Sequence, residues 1–259
     1  MAEQRERPAW EGVIEPPRAE RLKKPRESGW TMVVDKGLGL HAIDDLMQVA
    51  SPCIDLVKLA LGSPAFFGFD LLKEKVRTIT AHDVSCMPGG SLEALATGQG
   101  RFDRYLERAR DLGFTGLEVS DRPGETEARI RAEAIGEAAK AGFRVVTEVA
   151  PRDRSGAGSL AGLAERVNAD LDCGAFMVTV GARAVFDASG LPDEAEAAAL
   201  LGAVRHPGRI LWEAPLDRQQ RWLVRRFGPN VNLAGILPED VLALEALRSG
   251  VRGDPLDHP

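Results

Sequence analysis

The sequence predicts an α/β fold: a single (β/α)8 TIM barrel over residues 28–254. A mobile N-terminal arm, residues 1–27, and a short C-terminal tail, residues 255–259, complete the expected layout. Three observations carry this. Short apolar, often β-branched runs recur and empty at once into charge or glycine: MVVDKG at 32–37, DLVKLALG at 55–62, FTGLEVSD at 114–121, FRVVTEV at 143–149, AFMVTVG at 175–181, RILWEAP at 209–215 and NVNLAG at 230–235. Such runs read as buried strands that open into functional loops. Helix-like stretches lie between them, and alternation at this spacing means right-handed parallel crossovers. The chain has 259 residues, 44% of them hydrophobic, enough for one large core, and a barrel of this kind takes roughly 250 residues. An open doubly wound sheet is the alternative, but no glycine fingerprint for a dinucleotide is present.

The elements follow in order. Residues 1–27 are rich in Arg, Glu and Pro without periodicity, as expected of an arm. Its end, RLKKPR at 21–26, is basic and suits either a solvated tail or an anion-gripping arm. The first strand is 31–34, and a helix over 43–50 is stopped by Ser51-Pro52. The second strand, 56–61, carries Lys58 inside an apolar run, so its ammonium needs a partner or a wet centre. A helix over 70–81 leads to a third strand at 84–87 and then to Pro88-Gly89-Gly90-Ser91. Glycines that bare backbone N–H groups before a helix suit an anion, and a plain turn fits them as well. A charged helix at 101–112 ends at Gly113. The fourth strand is 116–120, followed by an amphipathic helix over 125–141. The fifth strand is 143–149 and the loop APRDRSGAG fills 150–158. A helix to Asp172, a strand at 175–180, and an alanine-rich helix opened by Pro192-Asp193 come next. The last units are a strand at 209–212, a helix at 219–227, a strand at 231–233, and a helix from Pro238 to Gly250.

Composition narrows the function. A net charge of −6 argues against a general nucleic-acid role. Cys53, Cys86 and Cys173 sit in apolar contexts without metal-ligand spacing and read as buried reduced thiols of a cytoplasmic protein. No run approaches the roughly 18 apolar residues of a membrane span, and the charged N-terminus lacks an apolar signal core. The expected partner is a small molecule, with neither nucleic acid nor membrane.

In a (β/α)8 barrel the chemistry lies at the C-terminal strand ends. Those ends carry Asp35 and Lys36, Lys58, Gly89-Gly90, Glu118 and Asp121, Glu148, and then Glu213 and Asn232. Several carboxylates around one mouth can hold a hard divalent cation through oxygen. Lysines beside them can grip a phosphate or carboxylate. Any one of these residues alone could equally be a salt-bridged barrel residue; together they point to a site.

These residues also carry a resemblance. The segments KPRESGWTMVVDKGLGL, ASPCIDLVKLALGS, MPGGSLEALA, FDRYLERARDLGFTGLEVSD, AGFRVVTEV and WEAPLDRQQRWLVRRFGPNVNL, with PEDVLALEALRSGVRGD, resemble the phosphosulfolactate synthase family across most of 24–254. The resemblance implies a (β/α)8 barrel, dependence on magnesium, addition of sulfite to phosphoenolpyruvate, and a homo-oligomer such as a trimer. It implies Lys36, Lys58 and Glu148 as catalytic candidates, and Arg152, at a position where the sequence departs from the family, is added to them. Lys24, Arg26, Asp35, Gly89, Gly90, Arg122 and Arg183 become candidates for binding a small phosphorylated or carboxylated substrate. Glu118, Asp121 and Glu213 become metal candidates.

Some positions depart from the family pattern. The strand-five loop reads EVAPRD, placing Pro151 and Arg152 where the family has glycine and lysine. Arginine cannot act as the acid at neutral pH. Strand six ends VTVGAR, with Val180 at a glutamate position, and the SDG after strand four is SDRP. Two readings follow. In one, the chain keeps the lyase reaction, with Lys36 or Lys58 delivering the proton and a weakened magnesium site. In the other, the barrel is repurposed for a different substrate and reaction, or for binding an anion without catalysis.

Overall fold

A computed structural model of the chain describes residues 9–10, 12–120, 125–151 and 160–252, and side chains for all of these except 125–127. Eight parallel strands form one nearly closed barrel: β1 (Thr31–Asp35), β2 (Leu56–Leu59), β3 (Ser85–Pro88), β4 (Gly116–Val119), β5 (Arg144–Val149), β6 (Met177–Val180), β7 (Ile210–Glu213) and β8 (Leu233–Ile236). Helices α1 (Leu40–Ala50), α2 (Phe69–Thr80), α3 (Gly90–Gly98), α4 (Phe102–Asp111), α5 (Glu125–Lys140), α6 (Leu160–Asp172), α7 (Glu194–Ala203), α8 (Asp217–Phe227) and α9 (Val241–Arg248) alternate with them. The strand order runs β3-β2-β1-β8-β7-β6-β5-β4. The two ends of that order meet at the base, where Thr115 N–H donates to Cys86 O and Cys86 N–H to Thr115 Oγ1. The expected TIM barrel is therefore the observed fold.

Two cores set which side chains can reach the site. Inside the barrel Trp30, Met32, Leu56, Met87, Val146, Met177, Leu211 and Ala234 pack on one another. Outside it, the alternate strand residues, among them Val33, Val57, Leu117, Val119, Val149, Val178 and Val180, meet the helices. Side chains alternate along a strand. Two residues beyond the inner core, Lys58, Glu148, Thr179 and Glu213 therefore face inward at the C-terminal mouth, while Asp35 and Val180 face the helices.

Several boundaries differ from the sequence reading. α3 is an added helix, because Gly90 to Gly98 has little amphipathic contrast and begins with glycine. β2 stops at Leu59, and Leu61 takes a left-handed φ of 58°. β8 begins at Leu233 rather than 231. This moves Asn232 to the opposite end of the barrel from the mouth. There it accepts from Trp30 N–H at 3.1 Å and donates to Gly208 O and Ile210 O. The arm is not free over its described later part. Arg21 pairs with Glu245 at 2.8 Å, Leu22 N–H donates to Asn230 Oδ1, and Arg26 grips Asp55 with 2.7 and 3.0 Å contacts. Residues 1–8 of the expected arm, and the tail, lie outside the described residues.

Candidate active site at the C-terminal mouth

Three inward residues, from β2, β4 and β5, form the centre. The Lys58 ammonium lies 2.6 Å from Glu118 Oε1 and 3.5 Å from Glu148 Oε2. Glu118 is buried, and its second oxygen accepts from Gly90 N–H at 2.7 Å. The Glu148 side chain is 38% exposed, so the charged group opens toward the mouth on that side. Burial depresses the Lys58 pKa, but the carboxylates of Glu118 and Glu148 outweigh it and the net shift is upward. Burial likewise pushes Glu118 up, against the pull of Lys58 and Gly90. Both shifts have the same sense: the group retains protons in a partly dry pocket.

Beneath this centre the backbone is clasped. Arg131 on α5 is buried and holds Asp170 through two contacts of 2.9 and 2.6 Å. Its remaining N–H groups donate to the carbonyls of Val119, Ser120 and Glu148, the ends of β4 and β5. Asp170 also accepts from Thr147 Oγ1. A second clasp shapes the β1–α1 loop. Asp35 accepts from Gly37 and Leu38 N–H at 2.7 Å, and Lys75 of α2 reaches Asp35 Oδ2 and Leu38 O, both at 2.5 Å. Both charged side chains are 1% exposed. Asp35 is thus turned outward and fully engaged, so the substrate-binding expectation for it is corrected: it positions the loop that carries exposed Lys36. Sequence reading missed Lys75 and Arg131. The available signal was helical spacing, which puts Lys75 beside Leu72, Val76 and Ile79, and Arg131 beside Ala134, Ile135 and Ala138.

Other expectations fare differently. Gly89 and Gly90 do not present free N–H groups, since Gly89 donates to Leu59 O and Gly90 to Glu118. Their smallness has another cause: a Cβ at Gly90 would meet Ser120 Oγ at 2.3 Å and Ser120 N at 3.1 Å. Lys24 and Arg26 are not at the mouth. Lys24 donates to Ser51 O and Asp83 O, and Arg26 pairs with Asp55, all at the N-terminal strand ends. Val180 lies in the outer core, so valine there removes no group from the mouth; the inward neighbour is Thr179. Glu213 stands at the mouth, where one oxygen accepts from Ala182 N–H at 2.9 Å, and Arg183 on the same loop is exposed. Asp121, Arg122 and Arg152 lie outside the described residues.

Metal donors can be judged from the same contacts. Each Glu118 oxygen already accepts one contact, from Lys58 and from Gly90 N–H. Glu148 and Glu213 each retain an oxygen without a hydrogen-bond partner among the described residues. Among the described residues no three His, Cys, Asp or Glu side chains form a cage. That donor set fits magnesium in its common mode, with one or two carboxylates and the remaining positions filled by water and substrate oxygen.

The sequence model of (2R)-phospho-3-sulfolactate synthase (ComA) matches residues 19–254. The chain belongs to the phosphosulfolactate synthase family. It is 37% identical over 256 residues to the phosphosulfolactate synthase of Methanothermobacter thermautotrophicus, covering 94% of this chain and 96% of that one. It is 34% identical over 236 residues to that of Methanocaldococcus jannaschii, covering 88% and 94%. Among solved structures, 3-hexulose-6-phosphate synthase from Salmonella typhimurium matches at 18% identity and a TM-score of 0.52, covering 89% of this chain and all, 100%, of that chain. This last likeness concerns the fold alone. In this phosphosulfolactate synthase family member, the Lys58–Glu118–Glu148 group occupies the end of the barrel where such folds do chemistry. Among the described residues no helix is long and apolar enough to cross a membrane.

Proposed function

We propose that the chain catalyses addition of sulfite to phosphoenolpyruvate. The sulfur lone pair forms a C–S bond to the methylene carbon. The C=C electron pair moves toward the carbon that bears phosphate and carboxylate, and one proton is delivered to that carbon. The phosphate ester stays intact, and the product is (2R)-phospho-3-sulfolactate, as in the family description. The observation that carries this is the Lys58 ammonium held between Glu118 and Glu148.

An ammonium fixed in a partly dry pocket stabilises negative charge that develops on the substrate carboxylate. It also lies within the class of groups that deliver protons in a transition state. Glu118 holds it in place, and the more open Glu148 relays protons from the mouth. Exposed Lys36 and Arg183 supply charge for the anionic substrate. Glu148 and Glu213 are the residues that would hold magnesium, which would supply further neutralisation of phosphate and carboxylate charge. Identity of 34–37% to named synthases over nearly their whole length favours the retained reaction over a repurposed barrel. The burial of Val180 in the outer core weakens one argument for repurposing.

The test is phosphorus and carbon NMR of purified protein with magnesium, sulfite and phosphoenolpyruvate in heavy water. A new C–S bond, retained phosphate ester and one deuterium on the phosphate-bearing carbon are expected. Phosphate release, or no sulfonate at all, would overturn the proposal.

A further inference from the structure

A cavity of about 850 Å³ opens at the N-terminal pole, away from the mouth, lined among others by Lys24, Trp30, Ser85, Arg110, Phe143 and Arg144. That volume is within the range of small-molecule sites. Two cations in its wall have no carboxylate partner among the described residues. The Arg144 guanidinium donates to Ser85 Oγ at 2.9 Å and stacks 5.8 Å from the Trp30 ring and 5.6 Å from that of Phe176. Arg110 donates to Ala141 O at 3.2 Å and lies 5.8 Å from the ring of Phe143, the residue beside Arg144. Each guanidinium is therefore held by one hydrogen bond and a ring face, with other N–H groups left over. Lys24, which donates to two backbone carbonyls, and Asp83 line the same wall, and Arg26 and Asp55 there neutralise one another.

We infer that this pole binds a small phosphate-bearing anion at a site separate from the reaction centre. Guanidinium groups suit phosphate because several fixed N–H donors meet its oxygens at once. Prior fixing by rings and hydrogen bonds reduces the side-chain entropy lost on binding.

The probe is inorganic pyrophosphate, titrated into the full chain by calorimetry without magnesium. Wild type, Lys58→Met and the Arg110→Ala/Arg144→Ala double variant are compared. Binding at the pole survives in Lys58→Met within about threefold and falls at least about tenfold in the double variant, as loss of charge-assisted hydrogen bonds requires. The double variant keeps its sulfite-addition rate. Arg144→Lys, which retains the charge, binds with intermediate affinity and serves if the double variant does not fold. Absence of pyrophosphate binding in Lys58→Met would place the ion at the mouth and overturn the inference, as would unchanged affinity in the double variant. A change of molecular mass by light scattering in the double variant, without pyrophosphate binding in Lys58→Met, would assign the face to a second copy of the chain and overturn it too.

Discussion

Lys58 has two opposing demands on it. Burial disfavours its charge, and the two glutamates restore it. Replacing it with methionine keeps the stem and removes the charge. The expected result is a fall in kcat of about 10³-fold or more, the size of one electrostatic or proton-transfer contribution, with an intact circular-dichroism spectrum. A rate within tenfold of wild type would exclude Lys58 from the chemistry. Glu118 gives a separate test through pH. Burial raises its pKa in the folded chain above the unfolded value. A raised pKa means that the folded state holds the proton more tightly. Its contribution to stability is then fully present below the unfolded value of about 4.3 and is lost as pH rises through the higher folded value. Glutamine cannot titrate. In urea unfolding from pH 4 to 8, wild type should lose stability relative to Glu118→Gln as pH increases. A difference that stays flat across that range would contradict the shift.

At the scale of elements, the helices hold the strand ends that bear the chemistry. Arg131 bridges α5, α6, β4 and β5, and its contacts end on the backbone of Glu148 itself. Lysine would keep a charge for Asp170 but could not reach the three carbonyls. Arg131→Lys is expected to lower kcat about tenfold or more, because small displacements at a site are costly, while KM changes little. A loss of stability with kcat per folded molecule unchanged would make the clasp merely structural. Strand–helix alternation was legible in the sequence because period-two and helical patterns are local. The inward set Lys58, Glu118, Glu148 and Glu213 was legible for the same reason: each ends a recognisable strand. What escaped reading depended on which face a residue occupies or on contacts far along the chain. Val180 and Asp35 end strands but point outward. Gly90 is fixed by Ser120, thirty residues on in round terms, and Lys75 and Arg131 act from helix faces that look merely amphipathic. Asn232 was misplaced because a two-residue shift in β8 moved it to the other pole.

Across the whole molecule, the two poles of the barrel hold charge in different ways. The mouth holds Lys58, Glu118 and Glu148 in a partly exposed pocket, whereas the N-terminal pole ties the arm to the barrel through buried ion pairs. Arg26 and Asp55 carry that role most directly. Their side chains are 2% and 5% exposed, and Asp55 also accepts from Thr31 N–H at 2.8 Å, tying the arm to the start of β1. Such a pair need not stabilise more than apolar side chains would, but removing one partner strands the other charge in the interior. Arg26→Leu is therefore expected to cost about 3–5 kcal/mol, a fall in Tm on the order of 10 °C for a domain of this size. Sulfite addition per folded molecule should be nearly unchanged, since the pair lies at the far end of the strands from Lys58. Adding Asp55→Leu should recover part of the loss, because the double variant no longer buries a lone carboxylate. Thermal and urea unfolding of the two variants decide it. A cost under about 1 kcal/mol for Arg26→Leu would place the pair among exposed salt bridges instead, and no recovery in the double variant would mean that the Asp55–Thr31 contact, rather than charge pairing, carries the stability at this pole.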